Sequence, residues 1–208
     1  MPDTLQTFHL DDLAPFTAEG AFGPSASPDL RGFYVGRDDV HGVLAYLLSR
    51  VSLSCKFNQF GYDDAALAAL VTGLVENPKV FVQVTLDKSQ AGGVHEKQIL
   101  ASQAAADPAG FAADFAVGES ATHQISHTKG GVLDGIVGFE GSTNWSASGE
   151  GVGIGLDGHA NQPGFKAQNN TLWVTTNPYE IAKFSARLDY EHAVAKSQPQ
   201  PSVAPATT

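Results

Sequence analysis

Cationic charge is scarce in this 208-residue chain: 12 Lys and Arg stand against 22 Asp and Glu, a formal net charge of -10. The basic residues are scattered singly, which opposes long-range attraction to nucleic acid or to an anionic membrane, so any polyanion must be held by a local site. Cysteine is limited to Cys55, which cannot form an internal disulfide; within the apolar run VSLSCKF it reads as a buried core thiol. No apolar run approaches the roughly 20 residues of a membrane-spanning helix. No basic amphipathic helix is present either, and no stable membrane association is expected. The opening stretch MPDTLQTFHLDDL has Asp where an export signal carries Lys or Arg, and no apolar segment follows it, so the expected location is cytoplasmic. Metal-ligand spacing is missing as well. His9, His41, His95, His159 and His192 follow no pattern that implies an ion, and we expect neither metal nor cofactor.

What is present is an alternation of strand and helix signals, in a length that suits one sizeable core. Residues 1–31 mix Pro, Gly, Asp and Ser with isolated aromatics and read as an irregular N-terminal segment. GFYVG then reads as a strand, and DDVHGVLAYLLSRV as a helix with capping Asp residues and Val40, Val43, Leu44 and Leu47 at helical spacing. SLSCKFNQF and KVFVQVTLD read as strands; DDAALAALVTGLV and VHEKQILASQAAA read as helices. Toward the end, NTLWVTTN reads as a strand and PYEIAKFSARLDYEHAVA as a helix with Pro178 in its first turn. The expected fold class is α/β, a mostly parallel mixed sheet with helices on both faces, over residues 32–195. Residues 196–208, rich in Pro, Ser and Thr, read as a disordered tail.

One stretch, HTKGGVLDGIVGFEGSTNW at 127–145, carries chemistry at even intervals. Residues two apart in a strand share a face, so His127 and Lys129 are expected to project together, as are Ser142 and Asn144. Asp134-Gly135 is a strong tight-turn signal between the two strands. The set suits phosphodiester chemistry. An imidazole can attack phosphorus and form phosphohistidine, and an adjacent ammonium binds phosphate oxygens while disfavouring imidazolium. Ser and Asn add neutral donors, and no step needs a metal.

On these residues the chain resembles the phospholipase D superfamily. The signature His, any residue, Lys, four residues, Asp is His127, Lys129 and Asp134, and the downstream Gly-Ser-x-Asn is Gly141, Ser142 and Asn144, followed by Trp145 and Ser146. The resemblance implies a catalytic set of His127, Lys129, Asp134, Ser142 and Asn144, with Asp134 read more as a turn-holding group than as a reactant. It also implies a metal-independent phosphodiesterase, a nuclease by likeness to the small single-motif members, with a lipid hydrolase or transferase, or a weakly active nucleic-acid-binding or assembly protein, as alternatives. The family's site uses two motifs, one His as nucleophile and one as acid. This chain has one, since the stretch HEK at His95–Lys97 has Ser102 where Asp is required. The resemblance therefore implies a homodimer with one active site shared across its twofold axis.

One position departs from the family. A Glu that hydrogen-bonds the catalytic His is replaced by QNN, Gln168 to Asn170, and Glu140, two residues before Ser142, is the candidate substitute. His123 shares strand parity with His127 and is a candidate substrate contact, although a structural, hydrogen-bonded role is the stronger reading. The stretch GIGLDG, Gly153 to Gly158, fits a dinucleotide-binding glycine pattern, but no strand leads into it. We read the Gly-rich residues 147–167 as a mobile surface loop, and the resemblance implies that this loop, which follows the motif, covers the pocket.

Overall fold

The computed structural model describes residues 8–91 and 93–200. Strands β1 (Leu30–Tyr34), β2 (Ser54–Gln59), β3 (Phe81–Asp87), β4 (Phe115–Gly118), β5 (Gly130–Leu133), β6 (Val137–Gly141) and β7 (Thr171–Thr175) form one sheet in the order β1-β7-β6-β5-β2-β3-β4. The helices are α1 (Val40–Ser49), α2 (Ala65–Val75), α3 (Val94–Ala106), α4 (Pro108–Asp114), α5 (Ala147–Glu150) and α6 (Pro178–Lys196). A 3-10 helix, Leu10–Phe16, gives the N-terminal segment more order than its composition implied.

Local chemistry accounts for the long elements. Asp39 and Asp64 cap α1 and α2 by accepting hydrogen bonds from the Gly42 and Leu67 N–H groups. Val40, Val43, Leu44, Leu47 and Leu48 of α1 and Leu67, Ala68 and Val71 of α2 then bury one stripe each, at about 1.5–3 kcal/mol for each large side chain. They face Phe33, Phe57, Val84, Phe139 and Val174 of the sheet in the main core, which also holds the expected buried thiol, Cys55. Helix α6 lies on the opposite face, where Ile181, Phe184 and Leu188 pack on Val132. Helices cover both faces, as expected.

The sheet is mixed, but its pairings are not mostly parallel. Only β2-β3 and β3-β4 pair in parallel, while β1-β7, β7-β6, β6-β5 and β5-β2 are antiparallel. The reason lies in the tight turn after β5. It sends β6 straight back, and the β5–β6–β7 group inserts between β1 and β2, which run in one direction without touching. In consequence the carboxyl ends of β1, β2, β3 and β6 and the amino ends of β5 and β7 share one edge of the sheet. Open α/β sheets bind ligands at such an edge, where the connection pattern changes.

Two boundaries also move. Residues 197–200 of the tail are pinned: the Gln198 and Gln200 side-chain carbonyls accept the Glu119 and Val117 N–H groups at 2.8 and 2.9 Å. The rest of the tail and residues 1–7 lie outside the described residues. The Gly-rich segment contains the short helix α5 and an Ile154–Ala160 bridge.

Candidate active site

The segment before β5 and the segment after β6 meet at that edge, because β5 and β6 are antiparallel neighbours. The Gly141 N–H donates to the Lys129 carbonyl at 3.0 Å, tying the two together one residue beyond the ladder. Residues 125–129 belong to no strand. Their shape is fixed from two sides instead. The Ser126 N–H donates to the buried Asp87 carboxylate at the end of β3, and the Thr128 hydroxyl donates to Glu191 on α6 at 3.2 Å. Held at alternate positions, the segment leaves the His127 ring exposed and the Lys129 stem buried.

Phe60, just past β2, completes the floor. Its ring meets the His127 imidazole edge to face, with centroids 4.6 Å apart, and the Lys129 ammonium lies 4.8 Å from the same ring centroid while donating to the His127 carbonyl at 3.1 Å. Burial, and then the Lys129 charge, lower the His127 pKa below the usual imidazole range, so the ring is neutral at pH 7 with a free lone pair. Burial pushes the Lys129 ammonium down to about 8, partly offset by Asp87. Asp87 acts on the charge of both groups, and the sequence offered only one hint of it, an acidic residue closing an apolar strand. Phe60 had no such marker.

Beyond β6, Ser142 exchanges backbone and side-chain hydrogen bonds with Thr171: its N–H donates to the Thr171 carbonyl and its Oγ accepts the Thr171 N–H, both at 3.0 Å. The hydroxyl proton is left to donate elsewhere. Asn144 comes against the loop after β2, where a Cβ on Gly61 would lie 3.1 Å from the Asn144 Cβ, so glycine permits the approach. Trp145 anchors this loop. Its fully buried ring stacks on Phe57 at 4.6 Å, its backbone N–H donates to the Gly61 carbonyl, and its backbone carbonyl accepts the Asp63 and Asp64 N–H groups.

Three expected participants lie elsewhere. Asp134 is at the opposite end of β5 from His127, where its carboxylate accepts the N–H groups of Ser52, Leu53 and Ser54 and the Ser52 hydroxyl at 2.8–3.2 Å. It joins a turn to the start of β2, away from His127 and Lys129. Glu140 pairs with Gly130 across the ladder and so faces Ile181 and Phe184, the side opposite Lys129. Strand β6 ends at Gly141, before Ser142, so a spacing of two residues does not put Glu140 on the Ser142 face. His123 sits in a turn at φ 58° with its side chain exposed, 3.6 Å from Glu119, and not in a strand with His127. Asn170, in the region of the missing Glu, is buried and donates to the Gly149 carbonyl at 2.8 Å, which holds the end of α5 and leaves the imidazole without that partner.

His41, set aside on sequence spacing, lies beside two carboxylates. Its Nδ1 contacts Glu150 and is 3.6 Å from Asp64 Oδ2. The Glu150 hydrogen bond raises the His41 pKa, while burial pushes Glu150 up to about 7.

The charge on Lys129 has a kinetic consequence. A rate that depends on the ammonium should fall as pH rises through about 8, and kcat/KM, which reports free-enzyme groups, is the parameter to follow. Lys129→Arg should lose that descending limb, because a guanidinium does not titrate there. A wild-type profile flat to pH 9.5 would remove the Lys129 charge from the reaction.

No protein-family model matches the chain, and no curated protein matches it in sequence. Solved structures do match in fold. Nuc from Salmonella typhimurium, a phospholipase D family member, aligns with TM-score 0.59 and 12% identity over 78% of this chain and 92% of its own. NucT from Helicobacter pylori aligns with TM-score 0.54 and 14% identity over 78% and 95%, respectively. Phosphatidylserine synthase from Haemophilus influenzae aligns with TM-score 0.57 and 12% identity, over 92% of this chain but 43% of its own. The chain has the phospholipase D fold. Among the described residues no helix is long and apolar enough to cross a membrane.

Proposed function

We propose that this protein is a phosphodiesterase that works through phosphohistidine on His127, and that its substrate is a nucleic acid. The observation that carries the reading is an exposed imidazole held neutral beside the Lys129 ammonium, with the Ser142 hydroxyl free to donate at the same edge. Nε2 or Nδ1 of His127 attacks phosphorus, the phosphorus–oxygen bond to the leaving group breaks, and water later displaces the imidazole. Lys129, Ser142 and Asn144 stabilise charge on the nonbridging oxygens. No step calls on a metal. The preference for nucleic acid over lipid rests on the resemblance to small single-motif members and on extent. The fold match spans nearly all of Nuc and NucT but less than half of the phosphatidylserine synthase.

The leaving oxygen needs a proton, since an unprotonated alkoxide departs poorly. The motif supplies one imidazole, and His123, exposed on its own turn, is not in a second motif. The proposal therefore includes a homodimer in which the partner's copy of His127 is the acid. Single- and double-stranded DNA, RNA, phospholipid vesicles and a chromogenic phosphodiester, each assayed in chelator, should show cleavage of nucleic acid and of the chromogenic ester. Activity should fall on dilution through the dimer dissociation constant, and mixed dimers of wild type with His127→Asn should be almost inactive. Hydrolysis of lipid alone would replace the nuclease reading, and a monomer active at full rate at every dilution would end the shared-site model.

A further inference from the structure

We infer that His41, Asp64 and Glu150 form a binding site for one divalent transition-metal ion, Zn2+ being the natural probe, separate from the hydrolytic residues. The three come from different elements: the first turn of α1, the N-cap of α2 and the last residue of α5. All three follow strand ends on the functional edge, and the fold alone brings them together. His41 Nδ1, one Asp64 oxygen and one Glu150 oxygen lie within 4.8 Å of one another. The 3.6 Å from His41 Nδ1 to Asp64 Oδ2 is close to the roughly 3.3 Å expected for two ligands held about 2.0–2.2 Å from one tetrahedral ion.

A second observation points to a ligand. The Glu150 side chain has no solvent exposure, and its Oε1 is buried without a hydrogen-bond partner. A buried carboxylate with a single imidazole as partner is under-compensated, and such groups are ordinarily paired on both oxygens or coordinate a metal. A dication with two carboxylates and a neutral imidazole balances charge, whereas imidazolium neutralises only one of the two acids. Asp64 can serve both roles, because Oδ1 accepts the Leu67 N–H at 2.7 Å and Oδ2 is the oxygen that faces His41.

The donor set defines the class of ion. One nitrogen and two carboxylate oxygens suit Zn2+, Co2+ or Mn2+. Mg2+ and Ca2+ favour oxygen-only shells, and Cu(I) favours sulfur. On binding, the proton shared by His41 Nδ1 and Glu150 Oε2 leaves to solvent, and their direct hydrogen bond is replaced by two bonds to the ion. His41 is partly exposed, which leaves an approach for the ion. The ion would fasten α5 to α1 and α2, bracing the loop that carries Asn144 and Trp145.

The test uses chelator-stripped full-length protein titrated with ZnCl2 by calorimetry and with CoCl2 by visible absorption. One equivalent per chain, a raised thermal midpoint and the intense bands of four-coordinate Co2+ are expected. Asp64→Asn, which keeps the helix cap, and His41→Gln should each weaken Zn2+ binding by more than the roughly 10–100-fold that loss of even an outer partner costs. Circular dichroism should show both variants folded. No uptake by the wild type, or uptake unchanged in Asp64→Asn, would overturn the site and leave a closed imidazole–carboxylate pair. All of these readouts are independent of hydrolytic activity, so failure of the phosphodiesterase reading would leave them unaffected.

Discussion

His127→Ala is expected to abolish turnover while leaving the fold intact. The imidazole is exposed and contributes one edge contact with Phe60, so its removal opens no core cavity. On the mechanism proposed above, it takes away the nucleophile and, in the shared site, the acid of the other copy. A fall of at least about 10⁴-fold is the expected size, the upper end of what one positioned proton donor contributes; that is about 5 kcal/mol of transition-state stabilisation. Wild-type protein should retain its rate in chelator, although loss of an ion at His41, Asp64 and Glu150 should lower its thermal midpoint. If His127→Ala kept more than a hundredth of the wild-type rate, another group would be the nucleophile.

Asp134→Ala should act in the opposite manner, on stability before chemistry. Four donors from Ser52, Leu53 and Ser54 lose a charged acceptor, and hydrogen bonds to charged groups contribute about 1.5–3 kcal/mol each before the released groups find water. Alanine must also take up φ 51°, a left-handed backbone that costs a further 1–2 kcal/mol or so. A loss of about 3–5 kcal/mol by urea denaturation is expected, a large share of the roughly 5–15 kcal/mol that holds an ordinary domain folded. Asp134→Asn, which tolerates the left-handed backbone and keeps one acceptor, should lose about half as much. An Asp134→Ala protein with wild-type stability and no activity would mean that the carboxylate acts in the reaction after all.

The long elements and the strand–turn–strand within 127–145 were legible in the sequence because both are local. A capped helix such as α1 or α2 is defined by an Asp and an apolar stripe over about three turns, and the Asp134-Gly135 turn by two adjacent residues that tolerate positive φ, 51° and 69° here. Helix α4 and strand β4 escaped notice because PAGFAAD and FAVG are too short to show a period. Other features depend on which strands become neighbours. The order β1-β7-β6-β5-β2 turned an alternating strand–helix pattern into a mostly antiparallel set of pairings. It also ended β6 one residue before Ser142, so that Glu140 went to the α6 face. Asp87 and Phe60 reached His127 only because β3 and β2 end at the same edge as β5 begins. His41, Asp64 and Glu150 are separated by 23 and 86 positions in the sequence, and no periodicity spans such gaps. Short-range patterns record the backbone's own preferences, whereas contacts between distant residues are decided by sheet order and by the burial that order makes possible.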